Sequence, residues 1–210
     1  MRLVLASNNA KKLAELAALL APARVELVTQ GSLGIAEVDE PHGTFVENAL
    51  VKARHAAAAA AGGPAIADDS GLCVAALGGA PGVISAHFAS VELPAGDREA
   101  RRRVQDSANN QLLLERLAAA TQRRAHFIST LIALRTADDP EPLIAVGRWH
   151  SEILTERRGS GGFGYDPLMF IPALGKTVAE LPADVKNAHS HRAIAARTML
   201  GLLRDVWHLG

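Results

Sequence analysis

The sequence predicts a mixed α/β fold in which helices flank one long central sheet. Three observations carry that expectation. Strand-like and helix-like segments alternate over the first third of the chain, β-branched hairpin strands dominate the middle, and neither a repeat nor a low-complexity linker interrupts them. Alternation alone would give a uniform parallel sheet, and the hairpin adds antiparallel strands. At 210 residues the chain suits a single domain, residues 1–210, or one domain with two lobes around a cleft, and it is long enough to bury a sizeable core.

Residues 2–6, RLVLA, read as a strand, and polar SNN leads into a helix with Leu13, Leu16, Ala17 and Leu20 at helical spacing. Thr44 and Glu47 form a capping box that opens a second helix, FVENALVKARHAAAAAA, which Gly62 and Gly63 end. Residues 64–67 then form a short strand that stops at Asp68 and Asp69, where Asp, Ser and Gly read as a turn. LGGAPG marks another turn, and a helix occupies much of 97–120. Residues 126–134 and 143–154 are apolar and β-branched around the turn residues TADDPEP, a long hairpin. A short strand follows at 168–171. A last helix runs from about 190 to 207, with Ile194, Ala195, Thr198, Leu202 and Val206 on one side.

Composition narrows the function. The chain is 49% hydrophobic and 21% charged, which excludes a mainly disordered protein, and with only 4% aromatics the core rests on Leu, Val, Ile and Ala. Twenty-two basic and 22 acidic residues cancel, so no overall positive field gathers a nucleic-acid polymer, and an anionic ligand needs a local site. Arg101, Arg102 and Arg103 are interleaved with acids and read as a solvated helix face. No stretch is long enough to cross a bilayer and the first apolar run is too short for a secretory leader, so the expected location is cytoplasmic. Cys73, the only cysteine, reads as a small core residue between Leu72 and Val74.

Four constellations carry chemistry. Residues 6–12, ASNNAKK, join a strand to a helix N-terminus, where backbone N–H groups, the helix dipole and Lys11 and Lys12 favour phosphate; an ordinary Asn cap is the alternative. Asn48, Lys52 and His55 recur at i, i+4 and i+7, a stripe that either lines a cleft or, more commonly, faces water; His55 receives no role. In RRGSGGFGYDP, Gly159, Gly161 and Gly164 match G-x-G-x-x-G, but the run follows a hairpin and opens no helix, so a dinucleotide fingerprint is rejected. What remains is a Gly-rich loop bearing Phe163, Tyr165 and Asp166, with stacking on a flat ligand or simple anchoring open to Phe163. In KNAHSHRA, Ser190 caps the last helix and sets His191 and Arg192 in its first turn, against the dipole, which points to an anionic or carbonyl-rich ligand. A metal site on His189 and His191 is disfavoured by their i, i+2 spacing.

Taken in order, ASNN with its lysines, GTFVENALVKA, AIADDSGL, LGGAPG, GSGGFGYDP and SHR resemble the Ham1-like family of inosine triphosphate pyrophosphatases across residues 6–192. The resemblance implies a long sheet under a substrate cleft between two lobes, a homodimer, and Mg²⁺-dependent hydrolysis of ITP, dITP or XTP to monophosphate and pyrophosphate. Carried over by position, Ser7, Asn8, Asn9, Ala10, Lys11 and Lys12 match the phosphate loop, and Lys52 a lysine near the phosphates. Asp69 matches the metal ligand and proton acceptor, Ser70 a substrate contact, and Glu40 a second metal-binding acid. Phe163, Gly164, Tyr165, Asp166, Lys186, His191 and Arg192 match the base- and nucleotide-binding segments. One departure is visible: the family loop commonly reads N-x-G-K, and Lys11 stands at its glycine, where a larger side chain crowds a phosphate approached by backbone. Maf-like pyrophosphatases, a related fold, typically continue Ser-Pro-Arg-Arg where this chain has SNNAKK. A non-catalytic nucleotide sensor would gain little from paired acids without a cation to reverse their sign.

Overall fold

The computed structural model describes residues 1–209. In chain order the elements are β1 (Arg2–Leu5), α1 (Ala10–Leu20), β2 (Glu26–Thr29), α2 (Phe45–Ala59), β3 (Ala65–Val74), α3 (Arg98–Arg116), β4 (Arg124–Leu134), β5 (Leu143–Ile153), β6 (Met169–Ile171), β7 (Lys176–Thr177), α4 (Ala183–His189) and α5 (His191–Asp205), with short 3-10 turns between some of them. The strands form one sheet in the order β2-β1-β3-β4-β5-β6-β7. β1 runs parallel to β2 and to β3, whereas β6 is antiparallel to β5 and to β7, so the sheet is mixed, as the sequence predicts. Among the described residues no helix is long and apolar enough to cross a membrane.

The chain divides into two compact units. The first comprises residues 1–70, 129–148 and 187 onward, and the second residues 71–128 and 149–186. In the first, strand alternation sorts side chains to two faces. Leu3, Leu5, Ile66, Leu131, Ala133, Leu143 and Ala145 pack with Leu16 and Leu20 of α1 and Ala195, Ala196, Met199 and Leu203 of α5. Val4, Ala6, Ala65, Ala67, Ile132 and Leu134 pack with Ala49, Ala53, Ala56 and Ala57 of α2, whose small inward side chains fit a close helix. Each fully buried Leu or Ile contributes roughly 1.5–3 kcal/mol. Gly147 of β5 is obligatory, because any Cβ there would overlap the His191 carbonyl and the Ala195 N–H in the first turns of α5. In the second unit Leu72, Val74, Phe127, Trp149, Ile153, Met169 and Ile171 of the strands pack with Leu113 of α3, with Leu117 just past its end, and with Tyr165, Leu168 and Val178.

Several expectations are corrected. The strand expected to stop before the acids continues through Asp68, Asp69, Ser70 and Gly71 to Val74. Local turn chemistry yields there because helices supply cations to both carboxylates, and context outweighs strand propensity. Cys73 is half-buried and not a core residue, since alternation gives the core Leu72 and Val74. The buried face of α5 is centred on Arg192, Ala196, Met199 and Leu203, while Thr198 is exposed. β2, β7 and α4, each short, carry no sequence signal that was recognised.

Candidate active site

Alternation along β3 turns the two neighbouring acids to opposite faces of the sheet, and each meets different partners. Asp68, fully buried, lies on the α1 and α5 side. Its carboxylate receives Lys12 Nζ at 3.0 Å, Arg192 Nε at 3.1 Å, Ser129 Oγ at 2.7 Å and Ser70 Oγ at 3.3 Å. Burial opposes its ionisation, but the Lys12 and Arg192 charges and the Ser129 hydroxyl outweigh burial and hold the carboxyl far below the usual aspartate range. Arg192, itself fully buried, also pairs with Glu15 and donates from Nη2 to Ser70 Oγ at 3.3 Å. The anion that Arg192 meets at the start of α5 is therefore supplied by the chain itself. Ser190 caps this helix as expected, accepting the Ala193 N–H at 3.1 Å, and His191 is buried in the first turn.

Asp69 lies on the α2 side, with Lys52 as its counter-ion. Lys52 Nζ donates to Asp69 Oδ1 at 2.8 Å, to Glu40 Oε2 at 2.7 Å and to the Asp68 carbonyl at 3.2 Å. Lys12 Nζ reaches the same carbonyl at 3.3 Å, so two helices deliver an ammonium to one peptide group. Asp69 Oδ2 is buried and has no hydrogen-bond partner among the described residues. Burial pushes the Asp69 carboxyl up to about 6 and the facing Glu40 carboxylate adds to the rise, against the pull of Lys52. Glu40 is held below the usual glutamate range, because Lys52 outweighs its partial burial. The two acids therefore have the opposed proton affinities of a coupled carboxylate pair. Glu15, Glu40, Asp68 and Asp69 outnumber Lys12, Lys52 and Arg192 by one charge, and the excess is negative.

The N-terminal loop is organised by its own side chains. Ser7 Oγ accepts the Asn9 N–H at 3.2 Å, and Asn9 Oδ1, the cap of α1, accepts the N–H groups of Lys11 at 3.0 Å and Lys12 at 3.3 Å. Asn8 accepts the Gly31 N–H at 2.8 Å and donates to Glu37 at 3.1 Å; Ala10 begins α1, and Ala10 and Lys11 are exposed. The stripe on α2 does not face water: Asn48 is 1% exposed, and both Asn48 and His55 bond to the loop that carries Glu40.

Within the second unit, the Gly-rich loop folds around Asp166. Its Oδ2 accepts the Phe163 N–H at 2.9 Å and Lys186 Nζ at 2.7 Å, and glycine is required at 162 because φ is +73° and a Cβ would overlap that carboxylate. Arg102 and Lys186 each lie 4.5 Å from the Phe163 ring centroid, a cation–π arrangement. Gly164 is held through both backbone groups, its N–H by Asp106 at 2.8 Å and its carbonyl by Asn110 at 2.8 Å. Tyr165 belongs to the core, donating its hydroxyl to the Ser85 carbonyl at 2.9 Å, and burial pushes its pKa well up.

Sequence reasoning missed Glu15, Ser129, Arg102, Asp106 and Asn110. Two signals were present: Arg102, Asp106 and Asn110 recur at i, i+4 and i+8 on α3, and Glu15 follows Lys12 by one turn of α1. Arg102, expected to be solvated, is half-buried over Phe163, while Arg101 and Arg103 are exposed.

The donor set suits a hard cation. No group of three or more His, Cys, Asp or Glu side chains able to hold a metal occurs among the described residues. What the first unit offers is the Glu40 and Asp69 pair with one unpartnered carboxylate oxygen. Mg²⁺ commonly binds through one or two carboxylates, completed by waters and substrate phosphates, so the pair fits it.

Comparison with known proteins adds a relationship. The model of the Ham1 family matches residues 3–202. A dITP/XTP pyrophosphatase of Methylibium petroleiphilum is 70% identical over 207 residues, 99% of either chain, and one of Leptothrix cholodnii is 68% identical over the full length of both. A solved HAM1 protein from Coxiella burnetii superposes with a TM-score of 0.87 at 40% identity, covering 98% of this chain and all of that one.

Proposed function

Since the chain belongs to the Ham1 family, we propose that it hydrolyses deaminated purine nucleoside triphosphates, dITP, XTP and ITP, to the monophosphate and pyrophosphate. The observation that carries this reading is Asp69, a buried carboxylate of raised proton affinity with one free oxygen, facing Glu40 across Lys52. Glu40 and Asp69 would hold Mg²⁺, which when bound supplies charge to offset the triphosphate and lowers the pKa of a water. Lys12 and Lys52 add positive charge beside the phosphates, and Ser7 with Asn9 shapes the loop that meets them. Asp69 Oδ2 accepts the proton of the water that attacks the α-phosphorus, and pyrophosphate leaves.

Base preference is read from donor chemistry. Hypoxanthine and xanthine present O6 as an acceptor where adenine presents an amino group, so a base site furnished with Lys186 leaves a donor unpaired against ATP. Phe163 offers the face for the base, and Asp166 fixes both Phe163 and Lys186. A homodimer in the cytoplasm completes the reading, resting on the family resemblance; a sedimentation mass of one chain would overturn the dimer.

The deciding experiment measures pyrophosphate release from a panel of triphosphates with Mg²⁺. dITP, XTP and ITP are expected to be consumed well ahead of ATP, and chelation with EDTA is expected to stop turnover. Asp69→Asn should lose at least about 100-fold in kcat while still binding dITP; near-normal turnover would refute the assignment. Lys186→Ala should narrow the preference for ITP over ATP, and an unchanged ratio would remove Lys186 from base selection.

A further inference from the structure

We propose that Asn48 and His55 are positioning residues that dock the Glu40-bearing loop, residues 35–44, onto α2 so that Glu40 faces Asp69 across Lys52. The proposal rests on reading Glu40 and Asp69 as the magnesium-binding pair. Residues 35–44 form no regular secondary structure, so nothing in the ladder of the sheet or in a helix fixes where Glu40 lies. The ion pair with Lys52 is too weak to do it alone: the Glu40 side chain is 43% exposed, and an ion pair with a solvated partner adds little.

The fixing contacts come from either side of Glu40. At His42, two residues beyond it, Asn48 uses both ends of its amide, accepting the N–H at 3.0 Å and donating to the carbonyl at 3.1 Å. That pair of hydrogen bonds to the backbone is made from a side chain 1% exposed, where a broken hydrogen bond finds no water to replace it. At Ala36, four residues before Glu40, the carbonyl lies 2.9 Å from His55 Nε2, a bond that requires Nε2 to carry the proton. Asn8 adds a third tie at Glu37, 3.1 Å away. Asn48, Lys52 and His55 thus act as one stripe: its two ends hold the loop and its middle holds the carboxylate. Preorganising a ligand side chain in this way lowers the ordering entropy lost when a cation binds.

Four variants test the docking: His55→Leu, His55→Gln, Asn48→Ala and Glu40→Gln. Two readouts are used besides steady-state kinetics. Mn²⁺, visible by electron paramagnetic resonance, reports cation binding to the nucleotide-free protein, and hydrogen exchange followed by mass spectrometry reports protection of residues 35–44. His55→Leu is expected to weaken Mn²⁺ binding about 3- to 10-fold and to speed exchange in the loop. His55→Gln, whose amide can donate to the Ala36 carbonyl, should restore both. Asn48→Ala is expected to weaken Mn²⁺ about tenfold or more, with kcat at saturating metal within about twofold of the parent. Should Asn48→Ala fail to fold, the Leu and Gln pair at His55 decides.

Loop exchange that is unchanged in His55→Leu overturns the docking, as does a Gln variant that behaves like Leu. Glu40→Gln separates the two readings. It should lose Mn²⁺ affinity with loop exchange unaltered; if it keeps full affinity, the metal role of Glu40 falls while the exchange data still decide the docking.

Discussion

Asp68 and Asp69 are chemically identical and adjacent, yet burial with different neighbours gives them opposite roles. Asp68 ionises more readily in the folded protein than in the unfolded chain, so its stabilising contribution is present above about pH 4 and is lost only in strong acid. Asp69 has the reverse sign. With a folded value near 6 against about 3.9 unfolded, the native state binds the extra proton between those values, and stability falls as pH rises through that window. Metal-free Asp69→Asn should therefore be more stable than the parent at pH 7, by about 1–2 kcal/mol once the lost Lys52 contact is allowed for, with no gain below pH 4. Urea denaturation in EDTA measures this, and a less stable variant would contradict it. Arg192→Ala should act in the other direction, costing about 3–5 kcal/mol because Asp68 and Glu15 lose their buried partner. Asp69 and Lys52 stand within recognisable motifs, AIADDSGL and GTFVENALVKA, whereas Glu40, in the loop VDEPHG, was placed only by the family resemblance. Glu15 and Ser129 were not legible, because the partner of Arg192 lies 177 residues away and Ser129 is one hydroxyl in an apolar strand.

At the scale of elements, two helices carry stripes that hold loops by their backbones. α2 does so for the Glu40 loop, and α3 does so for the Gly-rich loop through Asp106 and Asn110. If that grip sets the Phe163 face, Asn110→Ala should raise the KM for dITP about 3- to 10-fold while Mn²⁺ binding stays at the parental level. A variant with unaltered KM would make Asn110 a purely structural residue. Long elements with strong periodicity and caps, namely α1, α2, α3, α5 and the β4–β5 pair, were readable from local chemistry. The extent of β3 was not, since its acids become tolerable in a strand only after Lys12, Arg192 and Lys52 arrive from elsewhere in the chain.

For the whole molecule, the mixed α/β class followed from the order of elements, whereas the division into two units has no mark in the sequence. No linker separates them, because β3, β4 and β5 each begin in one unit and end in the other. Thermal unfolding should accordingly show one cooperative transition by calorimetry, with matching calorimetric and van't Hoff enthalpies; two resolved transitions would show that the units melt independently. The same continuity bears on how such a chain can diversify. All four boundaries between the units, at 70/71, 128/129, 148/149 and 186/187, fall inside β3, β4, β5 and α4. Recombination between relatives cannot exchange one unit without splicing four regular elements at once. Change is left to point substitution and to the links between elements, such as residues 135–142, which lie outside the strands they join.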